Sequence, residues 1–118
     1  MKNILLPTDF SDNSWSAILY ALKLFEPTSC TFFLLHSSAL PVSTMINLSN
    51  KLDETVRVQA MSDLNQLRDQ MVMVMENKDQ KVEIILTKEP MDEAIEKVVI
   101  QHSIDYIVMG TKGATAAK

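Results

Sequence analysis

A chain of 118 residues has room for one hydrophobic core and not for two, so a single domain over residues 1–118 is expected. Its 47% hydrophobic and 22% charged residues, with only two glycines, exclude the composition of a disordered or fibrous protein. A formal net charge of -4 without any basic run argues against nucleic acid as a partner, and the single Cys30 excludes an internal disulfide or a cysteine-built zinc site.

The lone cysteine fits a reducing compartment, and the apolar stretch before Pro7 is too short for a secretory signal. No other apolar run approaches membrane-spanning length, so a cytoplasmic protein without membrane attachment is expected.

Asn3 to Leu6 is a continuous apolar run ended by Pro7, the pattern of a strand buried on both faces. Ser11 is placed to cap a helix whose first turn carries Asp12. Trp15, Ile18, Leu19, Leu22 and Phe25 then recur at helical spacing until Glu26 and Pro27 stop them. Cys30 to His36 reads as a second buried strand. The segment from Ser37 to Ser49 has the composition of a long connection able to close over a site.

A second helical stripe follows through Leu52, Val56, Ala60, Leu64, Leu67, Met71 and Met75, with Asn50 and Asp53 placed to cap it. Met73 falls off that stripe and is expected at the surface or an interface. Val82 to Thr87 predicts a third strand, and Pro90 suits the first position of a helix carrying Ala94, Ile95, Val98 and Val99. Asp105 to Met109 predicts a fourth strand leading into Gly110, Thr111, Lys112 and Gly113. Strict alternation of strand and helix implies an α/β fold with a parallel sheet and helices on both faces.

In open parallel sheets ligands bind beyond the carboxyl ends of the strands. The residues there are Pro7, Thr8 and Asp9 after strand one, His36 and Ser37 after strand two, and Gly110 to Gly113 after strand four. Gly110 and Gly113 would let bare backbone N–H groups approach an anion, although a Gly-x-x-Gly pair alone is more often an ordinary tight turn after a strand.

The runs Ile4-Leu5-Leu6-Pro7-Thr8-Asp9-Phe10-Ser11, Leu34-Leu35-His36 and Asp105-Tyr106-Ile107-Val108-Met109-Gly110-Thr111-Lys112-Gly113, in that order along the chain, resemble the universal stress protein family. The resemblance implies a Rossmann-like three-layer α/β/α fold with strand order 3-2-1-4 and a further strand in the usual member. It also implies a role in stress survival. In nucleotide-binding members the acidic residue after strand one, here Asp9 with Pro7 and Thr8 beside it, lies near ribose and phosphates. Backbone at the end of strand two, here Ser37, recognises adenine. Met109, Gly110, Thr111 and Gly113 match the start of the phosphate loop, so ATP, with Mg as a possible companion, is the cofactor the resemblance implies.

The family loop continues to a third glycine beside Ser or Thr and then to a helix and a fifth strand. Ala114 to Lys118 is too short to supply these, so the expectation is a domain incomplete at its C-terminus. An unpartnered fourth strand would then favour a homodimer or other self-assembly. Two functions follow: an adenine-nucleotide-binding stress domain, or a nucleotide-free interaction module with a vestigial crevice.

Individual residues also have plainer readings. Asp9 suits a helix cap or turn as well as a ligand contact, and Thr8 and Ser11 suit local hydrogen bonding, since no histidine and carboxylate pair is recognisable to activate a hydroxyl. His36 and His102 are read as structural, Lys112 as a solvated loop lysine, and the methionines as core. No catalytic residue, triad or Walker A sequence is identified, so a third reading, as an adenylating or pyrophosphate-releasing enzyme, is the weakest, and at most slow ATP hydrolysis is expected.

Overall fold

In the computed structural model residues 1–39 and 50–110 are described. Four strands and three helices alternate: β1 (Lys2–Pro7), α1 (Asp12–Leu24), β2 (Cys30–Ser37), α2 (Asn50–Val74), β3 (Lys81–Thr87), α3 (Met91–Gln101) and β4 (Tyr106–Ile107). The strands form one parallel sheet in the order β3-β2-β1-β4. The predicted class and strand order are therefore found.

Side chains alternate across a strand, and the two faces of this sheet are filled from different helices. Ile4, Leu6, Phe32 and Leu34 pack with Ile18 and Leu22 of α1 and Leu64, Leu67 and Met71 of α2. Leu5, Phe33 and Leu35 point the other way, onto Ala94 and Val98 of α3. Three layers result because the central strands are apolar on both faces and each face needs a helical cover.

Ser11 caps α1 as its type and place predict, its hydroxyl accepting the Ser14 N–H at 3.2 Å. Just beyond the other end of α1, backbone carbonyls are met by side-chain amides. Asn77 Nδ2 donates to the Glu26 carbonyl at 2.7 Å, and Gln80 Nε2 to those of Phe25 and Thr28 at 2.8 and 3.0 Å. These contacts lock the approach to β3 against the end of α1.

Most of the predicted stripes are core, but their outer members are not. Ala60, Leu64, Leu67 and Met71 are buried while Leu52 is exposed, and Leu19 of α1 also faces outward. Met73 is 84% exposed, as its place off the stripe requires. Asp53 lies in the first turn of α2 and is ion-paired to Lys88.

Two boundaries differ from expectation. Pro90 is the N-cap of α3 and not its first helical residue: its ψ of 147° is extended and its carbonyl accepts the Ala94 N–H at 3.0 Å. The fourth strand is Tyr106–Ile107 alone, shorter than Asp105 to Met109: among the described residues it pairs with β1 only, and its two residues remain about half exposed. Its approach is held by backbone instead, with Asp105 N–H on the Asn3 carbonyl at 2.7 Å and Val108 N–H on that of Leu5 at 3.0 Å. No helix among the described residues is long and apolar enough to cross a membrane.

Candidate functional site

The carboxyl ends of β1, β2 and β4 and the start of α3 enclose a cavity of about 480 Å³. Of the residues expected at a site, Pro7, Thr8, Asp9, Ser37, Met109 and Gly110 all border it. Thr111 and Gly113 lie outside the described residues, as does Lys112, and so does most of the connection expected between Ser37 and Ser49.

The loop after β1 is built from short-range hydrogen bonds. Thr8, only 2% exposed, donates its hydroxyl to Ser14 Oγ at 3.0 Å and accepts the Phe10 N–H at 3.1 Å. Ser14 Oγ in turn donates to the Ser11 carbonyl at 2.9 Å. Asp9 Oδ1 accepts the Ser11 N–H at 3.0 Å, an Asx turn that leads the chain into α1. The local roles read for Thr8 and Ser11 are thus realised, and Asp9 combines its turn role with a place on the cavity wall.

At the end of β2, Ser37 Oγ donates to the Glu89 carbonyl at 2.5 Å and accepts the Ala39 N–H at 3.1 Å. Ser38 N–H reaches the Thr87 carbonyl at 2.8 Å. These bonds tie the β2 tip to the connection between β3 and α3. That connection is anchored on both sides by the ion pairs Lys88 with Asp53 and Glu89 with Lys97. The carboxylate of Glu89 holds the Lys97 ammonium above the ordinary lysine range.

Gly110 does not have a left-handed backbone. A Cβ placed on it would sit 3.2 Å from the carbonyl carbon and oxygen of Asn13 and 3.3 Å from its Cβ. Its glycine identity is accounted for by close approach to the first turn of α1, which brings the β4 exit against the β1 loop and closes that side of the crevice.

Sequence reasoning missed part of the wall. Asn13 and Ser14 border the cavity from the first turn of α1, and Pro90 and Met91 from the start of α3. The strand-tip rule applied to strand three as well would have found the last two. His36, read as structural, borders the cavity and donates its Nδ1–H to the Thr8 carbonyl at 2.8 Å. Among the described residues no group of three or more His, Cys, Asp or Glu is placed to hold a metal ion.

The universal stress protein family model matches residues 1–118. Among solved structures, universal stress protein UspA from Lactobacillus plantarum superposes with a TM-score of 0.66 at 24% identity, over 91% of this chain and 74% of that one. A universal stress protein family member from Burkholderia pseudomallei gives 0.70 at 17% identity, over 98% and 86%. The hypothetical protein MJ0577 gives 0.76 at 23% identity, over 92% and 73%. At these identities the structural likeness is one of fold. A comparison with curated protein sequences finds no match. The family model spans the whole chain, and the sheet order and strand tips agree with it: the chain belongs to the universal stress protein family.

Proposed function

We propose that the crevice binds an adenine nucleotide, ATP with Mg²⁺ accompanying its phosphates, and that the protein serves a cytoplasmic stress response through that binding. One observation carries the reading. Asp9, Ser37 and Met109-Gly110, far apart in sequence, border a single cavity of about 480 Å³.

The residues present suit such a ligand. The volume lies within the range of roughly 300–1,000 Å³ common for small-molecule sites. Pro7, Met91 and Met109 offer apolar wall to a base, and the Asp9 carboxylate offers an acceptor to ribose hydroxyls. The Ser37 hydroxyl is engaged with Glu89 and Ala39, so its contribution to base recognition falls to the backbone. Thr111 and Gly113 enter the proposal through the family resemblance, as continuation of the phosphate rim beyond Gly110.

A second reading has its own observation. Among the described residues β4 is an edge strand whose Tyr106 and Ile107 are 47% and 45% exposed, a surface suited to pairing with a second copy of this chain. The two readings are separated by the thermal unfolding midpoint, measured with and without Mg-ATP over a wide range of protein concentration. A ligand that binds only the folded state at a hundred times its Kd stabilises by about 2.7 kcal/mol. The nucleotide reading expects a rise with Mg-ATP that shrinks in Asp9→Ala. No rise removes the reading, and an undiminished rise removes Asp9 from the site. Self-association expects a midpoint that climbs with protein concentration, and a constant midpoint removes it.

A further inference from the structure

Ser14 lies in the first turn of α1 and is 6% exposed, and although it borders the crevice its hydroxyl is already spent inside the protein. The protons around it are assigned by the chemistry of the partners. A backbone N–H only donates, so Thr8 Oγ1 accepts from Phe10 at 3.1 Å. A carbonyl oxygen only accepts, so Ser14 Oγ gives its one hydrogen to Ser11 at 2.9 Å. The 3.0 Å bond between the two hydroxyls therefore runs from Thr8 to Ser14. The result is a directed chain from the Phe10 N–H through Thr8 and Ser14 to the Ser11 carbonyl, in which each bond polarises the next.

Asp9 is enclosed by this chain. The bond from Phe10 to Thr8 spans it, and its own Oδ1 accepts the Ser11 N–H at 3.0 Å. Ser11 is held at both of its backbone polar groups, its N–H by Asp9 and its carbonyl by Ser14 Oγ and by the Trp15 N–H at 3.0 Å. Thr8 anchors the other end to the centre of the sheet. Its N–H donates to the Leu35 carbonyl at 2.8 Å, and its carbonyl accepts from His36 Nδ1 at 2.8 Å. Between these anchors Phe10 has φ of 65°, a left-handed backbone that a side chain of this size adopts only where its surroundings enforce it. The enforcing contact is its N–H on Thr8 Oγ1, and that oxygen is oriented by its own donation to Ser14.

Asp9 is the one carboxylate among the described residues that line the crevice. A carboxylate carries about four lone-pair positions, so the bond to Ser11 orients the group without exhausting it. We propose that Ser14 is a positioning residue of the crevice: through Thr8 and Ser11 it aims the Asp9 carboxylate at the hydroxyls of a ribose, and so makes the site select a ribonucleotide over its dideoxy analogue. The inference rests on reading the crevice as a nucleotide site with Asp9 at the ribose, and adds to it the device that sets that carboxylate. Ser14 acts at one remove, since its hydroxyl hydrogen is committed to Ser11. Ser14→Ala would leave the Thr8 hydroxyl, 2% exposed, without its acceptor and would loosen the turn at Phe10, while Asp9 keeps its own chemistry.

The test is calorimetric titration of the whole chain with Mg-ATP and with the Mg complex of dideoxy-ATP, which lacks both ribose hydroxyls. The proteins compared are the unmodified chain, Ser14→Ala, Asp9→Ala and the double variant. The two ligands share base and phosphates, so the ratio of their affinities reports the ribose hydroxyls alone. A merely structural loss lowers both affinities and leaves the ratio where it was. A hydrogen bond to a charged group supports a preference for ATP of about tenfold in the unmodified protein. Ser14→Ala should bring the ratio to within about twofold of the Asp9→Ala value, and adding Ser14→Ala to Asp9→Ala should change it no further. Thr8→Ser, which keeps the hydroxyl, should hold the ratio, and Thr8→Val, which keeps the shape and deletes the hydroxyl, should lose it.

A ratio that Ser14→Ala leaves intact, or no preference for ATP in the unmodified protein, overturns the inference and leaves the nucleotide reading standing. A further fall on adding Ser14→Ala to Asp9→Ala also overturns it, because Ser14 then acts without Asp9. Absence of saturable Mg-ATP binding overturns both. Should Ser14→Ala lose its folding transition, Thr8→Val against Thr8→Ser decides by the same ratio, and equal ratios overturn the inference.

Discussion

The centre of the sheet and its β4 flank are built on different terms. β1 and β2 face each other over six residue pairs, and Ile4, Leu5, Leu6, Phe32, Leu34 and Leu35 are completely buried between the two helical layers. β4 meets β1 over two pairs, Ile4 with Tyr106 and Leu5 with Ile107, and both of its residues stay half exposed. The crevice straddles this divide. Thr8, Asp9, His36 and Ser37 hang from the rigid centre, whereas Met109 and Gly110 hang from the weak flank. A ligand in the crevice would bridge the two, so binding should stiffen β4 far more than β1 or β2.

The largest expected effect breaks the comparison at its strong side. Leu34→Ala leaves a cavity against Ile18, Leu64 and neighbours and should cost about 3–4 kcal/mol, lowering the urea midpoint in proportion. Ile107→Ala on the flank gives up a half-exposed side chain and should cost about 1 kcal/mol or less. Equal losses at the two sites would mean that the flank is packed as tightly as the centre and that the contrast is false.

Next in size is the tether that holds the flank in register. Asn3 N–H donates to Asp105 Oδ2 at 2.8 Å, and Asn3 Nδ2 donates to the His102 carbonyl at 2.9 Å. Asp105→Ala removes the acceptor of a charge-assisted bond, with an expected cost of about 1–2 kcal/mol. Native-state hydrogen exchange should quicken at Asp105 and Val108, whose N–H groups meet the carbonyls of Asn3 and Leu5, and remain slow in β2. Uniform acceleration across the sheet would show that the flank opens only with the whole fold.

The same divide explains how much was legible in the sequence. The centre announces itself because a strand buried on both faces must be apolar at every position, so Ile4-Leu5-Leu6 and Phe32 to Leu35 have only one reading. Alternation of elements then gives the sheet, and the strand-tip rule gives Asp9, Ser37 and Gly110. On the flank the exposed outer edge of the fourth strand matches expectation, and only its length misleads, because Asp105 to Met109 is nearly as apolar in composition as the centre while Tyr106–Ile107 alone pairs as strand. Pro90 was placed one residue too far into its helix because cap and first helical position both accommodate a fixed φ near −65°. His36, read as structural, is held by a contact to Thr8, 28 residues away, that no local pattern records.

The smallest expected effect lies at the opposite end of the fold from the crevice and sharpens the comparison by leaving it untouched. Glu26, just after α1, has its carboxyl raised above the ordinary value, first by a hydrogen bond to Glu76 and by that residue's charge, with burial adding and Lys23 opposing. A raised carboxyl value means that the folded protein holds more protons than the unfolded chain between the two titrations, so stability falls as pH rises through that window. The unfavourable pairing is absent at low pH, where Glu26 is protonated, and present in full at neutral pH. Glu76→Gln should therefore raise the unfolding midpoint modestly at pH 7, with the gain fading as the pH is lowered below the carboxylate range. Hydrogen exchange in β4 and any ATP-induced shift of the midpoint should not change. A gain that persists unaltered at low pH would assign the benefit to packing rather than to relief of the two carboxylates.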